Sequence, residues 1–288
     1  LSPDHVGAYL LLGVVYQEKK QFDLAINAFQ KCIEIMPDYA EAHLNLGLCY
    51  LLIGDYENGW REYEWRRKLI KESSDKLSKE WSGQNLENKT LLVLDEGADG
   101  NLIHFIRFIR ELKKESCKVI VQCSEEAMSL IKNQKWIDRA ITADEYPEHD
   151  FYIPIGSLMN VLKYNPNHYV QTFPYIEVDT DKISKDNTDQ VSIGLVFETD
   201  KNSNAHDDES IEPGLFENIF TEEHNVICLD KYVTDKTLPG YCSKHISYSN
   251  LEELSTAISN LDLIITVDHL VAHLAGALNI DTILMLPC

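Results

Sequence analysis

Arginine disappears from this 288-residue chain after position 139, and from residue 189 onward only Lys201, Lys231, Lys236 and Lys244 are basic. A site for a phosphorylated ligand in that half would depend on backbone amides and a few lysines, not on guanidinium forks. Positive charge is scarce throughout. Against 47 Asp and Glu stand 26 Lys and Arg, for a net charge of −21, which argues against nucleic acid and anionic membrane as direct partners. No stretch approaches the ~20 consecutive apolar residues of a transmembrane helix, and no signal-peptide pattern opens the chain. The expectation is a soluble, cytoplasmic protein without a transmembrane segment. The seven cysteines (32, 49, 117, 123, 228, 242, 288) form no C-x-x-C pair. Most lie within apolar runs, as Cys49 and Cys228 do, so they read as reduced core thiols and not as a disulfide framework or a metal site. No G-x-G-x-x-G follows a strand-like run, which disfavours a dinucleotide-dependent oxidoreductase.

What is present begins with a repeat. Leu12, Gly13, Tyr16, Phe22 and Phe29 are answered by Leu46, Gly47, Tyr50, Tyr56 and Tyr63, each 34 positions later, and Pro37 closes the first copy. This is the pattern of a tetratricopeptide helix pair. The two glycines are expected to let paired helices approach closely while the aromatics fill the space between them. Stacked helices of this class serve binding more often than chemistry. About three units usually make a stable solenoid, and only two are visible. The chain also starts at Leu1 and ends at Pro287-Cys288 directly after an apolar run. The expectation is therefore a fragment truncated at its C-terminus, with repeats upstream and structure downstream, or a following domain that caps the second repeat.

Beyond a charged connector the periodicity changes. Thr90 to Asp95, Lys118 to Val121 and Phe151 to Ile155 are short apolar runs of buried-strand type, with Trp136 to Ala143 a short return. Leu102 to Lys114 and Glu125 to Lys132 carry helical spacing. After a polar stretch from Asp179 to Asp189, strand-like runs at 191–197, 225–230, 263–267 and 282–286 alternate with helical patterns at 251–260 and 270–278. Strands alternating with helices imply parallel sheets covered on both faces. The expected fold class is α plus α/β: helical repeats over residues 1–70, a connector over 71–89, and two Rossmann-like domains over 90–180 and 190–288. Two such domains in tandem leave a ligand cleft between their sheet C-terminal edges.

The segment Gly54 to Arg66 (GDYENGWREYEWR) resembles the last repeat of bacterial tetratricopeptide proteins fused to a GT-B glycosyltransferase domain of the ADP-heptose:lipopolysaccharide heptosyltransferase type. The turn from Glu96 to Phe105 is similar to that family's E-Q-G-x-G-D-x-x-[QH]-F. Val267 to Ala277 (VDHLVAHLAGA) is similar to its V-D-T-x-x-A-H-L-A-G-A. The resemblance covers nearly the whole chain. It implies an acceptor side on the first α/β domain, with Glu96, Gly100 and His104 in the loop. It also implies a nucleotide-sugar donor on the second, with Asp268, His269, His273, Ser210 and Lys231 as candidate contacts. No metal and no cofactor beyond the donor substrate are implied. The implied partners are a nucleotide sugar, a glycan or protein acceptor, and a protein held by the repeats.

Physical reasons accompany each motif. Asp268, at a strand end before a helix, stands where anions and hydroxyl-rich ligands are bound. His269 or His273 could donate to a phosphate or a sugar hydroxyl, or serve packing alone. The small residues Ala272, Ala275, Gly276 and Ala277 are expected to seat the helix close to the sheet, and Gly100 to turn the chain sharply. Two departures bear on chemistry. The resemblance implies an aspartate as general base where this chain has Asn101, and an amide cannot accept a proton at neutral pH. Asp99 is the expected substitute, with Asp95 and Glu96 nearby. An arginine implied for the second domain is replaced by Glu209, beside Asp207 and Asp208, which removes a charge-assisted contact to a diphosphate; Lys201 or Lys231 could compensate. Fold positions survive while chemical positions change. That leaves a glycosyltransferase working with altered groups, or a noncatalytic scaffold whose repeats and degenerate transferase domain bind a protein or glycan, in which Asn101→Asp and Glu209→Arg would create or raise nucleotide-sugar binding.

Overall fold

The computed structural model describes residues 5–69, 77–97, 99–112, 116–168, 173–179, 190–198, 210–221, 223–231, 233 and 237–286. The chain forms two compact units, one made of Leu1–Gln84 with Gly156–Val170 and the other of Asn85–Ile155 with Gln171–Cys288.

The first unit contains the repeats. Helices α1 (Val6–Glu18), α2 (Phe22–Ile35), α3 (Ala40–Leu52) and α4 (Tyr56–Tyr63) follow one another with short turns, α1 packing on α2, α2 on α3 and α3 on α4. Side chains cap some of their ends: His5 Nδ1 accepts from the Ala8 N–H, and Asp55 from the Asn58 N–H, satisfying amides that no helix carbonyl can reach. Leu10, Ala25, Phe29, Cys32, Ala42, Leu46 and Cys49 form one buried cluster. The expected glycine contacts are present. A Cβ on Gly13 would overlap the ring of Phe29, and one on Gly47 would stand 2.8 Å from the Tyr63 nitrogen. Past α4 a 3-10 turn (Glu64–Lys68) carries Arg66, whose guanidinium lies 4.5 Å from the Tyr63 ring centroid.

The segment Gly156–Val170, expected within the first α/β domain, belongs to this helical unit. It contributes the short helix α8 (Leu158–Val161). Ser157 Oγ accepts from Arg66 Nη2 at 3.0 Å and donates to Glu64 Oε2 at 2.8 Å, while Trp60 Nε1–H donates to the Tyr164 carbonyl at 3.1 Å. Thus the GWREYEWR run directs its polar groups onto this segment. A two-residue strand, β1 (Lys79–Glu80), completes the unit.

The second unit is α/β. Strands β2 (Thr90–Leu94), β3 (Lys118–Gln122), β4 (Arg139–Ile141) and β5 (Phe151–Pro154) lie in the order β5-β2-β3-β4, every neighbouring pair parallel. Strands β6 (Val191–Val196), β7 (His224–Cys228), β8 (Lys244–His245), β9 (Leu263–Thr266) and β10 (Asp281–Leu284) form a second parallel sheet in the order β10-β9-β6-β7-β8. Near-continuous apolar runs such as Leu91-Leu92-Val93, all fully buried, suit strands covered on both faces. Within each sheet the order is that of a doubly wound nucleotide-binding half, reversing direction beside its first strand. The reversal falls between β2 and β5 in one sheet and between β6 and β9 in the other.

Helices α7 (Glu125–Lys132), α9 (Leu251–Ser259) and α10 (Leu270–Leu278) match the expected spans. The helix expected from Leu102 differs. It starts earlier, as α5 (Asp99–Phe105), passes through a 3-10 turn at Ile106–Phe108 and resumes as α6 (Ile109–Leu112). The sharp turn after β2 lies at Gly97, with φ at 87°, and not at Gly100. Only glycine adopts that region without strain.

Candidate functional site at the sheet switch points

The C-terminal ends of β2 and β9 lead directly into α5 and α10, and these two helices pack on each other. Gly100, in the first turn of α5, faces His273. A Cβ there would stand 3.0 Å from His273 Cδ2 and 3.4 Å from Nε2. The glycine thus serves close approach between the two helices. His104, one turn on, meets the same ring edge to face, with centroids 5.6 Å apart. Gly100, His104 and His273 are therefore brought together, and the Asp268 carboxylate bears electrostatically on His273.

Protonation states follow from the surroundings. His104 Nε2 lies 3.1 Å from Arg107 Nη2, and a guanidinium can only donate, so the His104 proton sits on Nδ1. Burial, then Arg107, then His273 hold His104 far down, at about 3. Burial likewise lowers His273. The pair is a neutral, polar surface at physiological pH.

On the loop after β2, Asp99 Oδ1 accepts from Ser124 Oγ at 2.8 Å, and Ser124 Oγ in turn accepts the Ala127 N–H as the N-cap of α7. This fixes the Asp99 carboxylate against a rigid helix end. Asp95, at the end of β2, is raised first by burial, with Asp99 adding repulsion; the Gly97 and Glu96 amides oppose the shift. Its Oδ1 is buried without a hydrogen-bond partner among the described residues. Glu96 is half-buried beside it, and Asn101 is exposed.

In the second sheet, His269 is the N-cap of α10. Its Nδ1 accepts the Val271 N–H at 3.1 Å, so that nitrogen is occupied by the helix. Asp268 is exposed next to it. The expected packing role of the small residues holds for Ala275 and Ala277, which are fully buried, but Gly276 is exposed and a Cβ there meets nothing within 4 Å. Ser210 is exposed next to Ile211, whose N–H donates to the Phe197 carbonyl at 2.8 Å; this sets Ser210 near the C-terminal end of β6. Lys231 Nζ is ion-paired with both oxygens of Glu126 on α7, at 2.9 and 3.0 Å, both side chains remaining partly exposed. Lys201, Asp207, Asp208, Glu209 and most of the expected linker lie outside the described residues.

Two features went unread in the sequence. One is Ser124 as the anchor of Asp99. The other is Asp230, a carboxylate only 2% exposed at the end of β7. Its Oδ2 and Oδ1 accept the N–H groups of Phe197 (3.2 Å) and Glu198 (3.0 Å). An aspartate closing the apolar run Val226-Ile227-Cys228-Leu229 was the available signal. Among the described residues no group of three or more His, Cys, Asp and Glu is placed to hold a metal ion.

A TPR repeat model matches residues 16–54. The chain is 27% identical over 153 residues to a UDP-N-acetylglucosamine–peptide N-acetylglucosaminyltransferase of Giardia intestinalis; the match covers 53% of this chain and 10% of that protein. Among solved structures it is similar to the dodecameric iron-containing heptosyltransferase TibC of enterotoxigenic E. coli, with a TM-score of 0.51 at 13% identity over 70% of this chain and 59% of TibC. It is also similar to a family 9 glycosyl transferase of Veillonella parvula, with a TM-score of 0.56 at 10% identity over 71% and 82% of the two chains. The ADP-heptose LPS heptosyltransferase II of E. coli gives 0.51 at 11% identity over 68% and 84%. The chain thus spans about a tenth of the curated relative and three fifths of TibC. These likenesses establish the architecture: helical TPR repeats followed by parallel-sheet α/β lobes of the glycosyltransferase GT-B kind.

Proposed function

We propose that this protein transfers a sugar from a nucleotide-sugar donor to an acceptor, with the repeats recruiting the acceptor or a partner protein. One observation carries the reading: the helices that follow the strands at the two sheet switch points meet, through Gly100 and His104 on one side and His273 on the other, in a fold shared with glycosyltransferases. Ligands of doubly wound sheets bind at that edge. The donor diphosphate is assigned to the start of α10, where Asp268 and His273 line the approach and the positive end of the helix dipole favours anions.

Asp99 takes the role that Asn101 cannot. Its carboxylate is oriented by Ser124, stands one residue before the Gly100–His273 contact, and can accept the acceptor hydroxyl proton as the sugar is displaced. Neutral His104 and His273 donate to sugar or phosphate oxygens without adding charge to an already acidic edge. The two donors to test first are UDP-N-acetylglucosamine, from the name of the Giardia relative, and ADP-heptose, from the TibC and heptosyltransferase II structures. A cytoplasmic setting fits the six described cysteines, all buried free thiols; Cys123 and Cys228, pushed up to about 12 by burial, are unreactive there.

The test is incubation of the chain with a panel of nucleotide sugars, reading release of the nucleoside diphosphate and occupancy by the intact donor. Binding with release supports transfer. Neither binding nor release with any donor ends the reading and leaves the noncatalytic scaffold in its place.

A further inference from the structure

We propose that Asp230 is a positioning residue for the nucleotide ligand: its carboxylate clamps the first two residues of the loop leaving β6, at the switch point of the second sheet, in their ligand-competent place. The proposal rests on the reading of this edge as the donor site. β6 is the central strand, and the chain leaves it at Phe197 and Glu198. No strand ladder can satisfy those two amides, because the sheet ends there. Asp230 satisfies both, one per carboxylate oxygen, a pairing that an asparagine, with a single acceptor oxygen, could not reproduce.

The same residue gathers the neighbouring elements. Its carbonyl accepts the proton of His245 Nε2 at 2.9 Å, at the end of β8, and the Val233 N–H at 3.3 Å. The Phe197 carbonyl, on the far side of the clamped peptide, accepts Ile211 N–H. The Asp230 side chain thus holds the end of β6, and its backbone carbonyl holds the end of β8. A carboxylate this buried is a costly device for a surface turn, and burial raises it to about 6 despite the two amides. Such perturbed groups concentrate where geometry must be held for a ligand. The titratable and charged groups facing it are Cys228 on its own strand, Tyr241 and Cys242 before β8, His245 on β8, His269 at the start of α10 and Glu198 on the clamped loop. Burial holds the two thiols and the phenol high, at about 11 or above, so they stay neutral. Protonating Asp230 turns one oxygen from acceptor to donor and releases one of the two amides.

The experiment compares wild type with Asp230→Asn in the full chain, titrating ADP, UDP and GDP calorimetrically between pH 5.5 and 7.5. Thermal unfolding and amide hydrogen exchange are followed in parallel. Expected are faster exchange at Phe197 and Glu198 but not at Leu195, about a tenfold loss of nucleotide affinity at pH 7.5, and an unfolding temperature not lowered in step with affinity. Wild-type affinity should weaken as pH falls through about 6, and the variant should lack that step. A variant that binds as wild type does, or that loses binding and thermal stability together, overturns the proposal alone. A wild type that binds none of the three overturns it together with the donor-site reading.

Discussion

Replacing Gly47 by alanine tests the repeat packing where the structure leaves least room. The added Cβ would stand 2.8 Å from the Tyr63 nitrogen, 3.0 Å from the Glu62 carbonyl carbon and 3.1 Å from Glu62 Cβ. Two of these are backbone atoms, which no rotamer change can move, so α3 must part from the end of α4. Parting them also strains the contacts one turn earlier on α3. His43 stacks on Trp65 with centroids 3.7 Å apart, and its Nδ1 lies 2.6 Å from Glu62 Oε2. Overpacking of this kind costs about 1–3 kcal/mol. Against it, alanine in a helix interior gains up to about 1 kcal/mol over glycine. The expected net loss is about 1–2 kcal/mol, or a fall of roughly 4–16 °C in the unfolding temperature of a unit of about 100 residues. Gly276→Ala is the matched control: it is also helical, nothing lies within 4 Å of its Cβ, and it should gain part of the same ~1 kcal/mol. Thermal unfolding by circular dichroism, with hydrogen exchange of α3 and α4 amides, measures both. A Gly47→Ala variant as stable as wild type would refute the close-packed repeat.

Three further outcomes are expected. Arg66→Ala removes a partner of Glu64 and Ser157 and should destabilise the helical unit by about 1–3 kcal/mol, since a part-buried carboxylate loses the nearer of two cations while Arg67 and Ser157 stay beside it; chemical denaturation measures it. Asp99→Asn should lower the transfer rate ~100-fold or more while leaving nucleotide affinity near wild type, the pattern of a lost general base; equal turnover would reassign the base. Burial raises Asp230 to about 6 in the fold, from the ordinary aspartate value of 3.8. Folding therefore takes up a proton between those values, and the Asp230 contribution to stability rises as pH falls through 6. Relative to Asp230→Asn, wild type should gain about 2 kcal/mol between pH 7.5 and 4.5, read from paired denaturation curves; a gap independent of pH would contradict the buried charge.

The repeats were legible because their constraint is periodic: Gly13 and Gly47 recur 34 residues apart for one packing reason, and the structure shows that reason twice. The strands were legible because buried parallel strands are apolar throughout, as in Leu91-Leu92-Val93. What hid was non-local. The start of α5 at Asp99 reads as a loop because Asp99, Gly100 and Asn101 are poor helix formers; tertiary contact between Gly100 and His273 overrides that. Gly156–Val170 reads as part of the α/β series, and bonds such as Arg66–Ser157, spanning 91 positions, reveal its allegiance to the repeats. The Lys231–Glu126 pair was hidden because its two members stand 105 positions apart. Asp230 hid as the polar end of an apolar strand, though its acceptors serve a different strand.

The central claim is that the meeting of Gly100, His104 and His273 borders a nucleotide-sugar site. Calorimetric titration of the full chain with UDP-N-acetylglucosamine and ADP-heptose, repeated with His273→Ala, tests it most directly. Saturable one-to-one binding of at least one donor, weakened tenfold or more by the substitution, is the expected result. Absence of heat with both donors, or binding indifferent to His273, would contradict it.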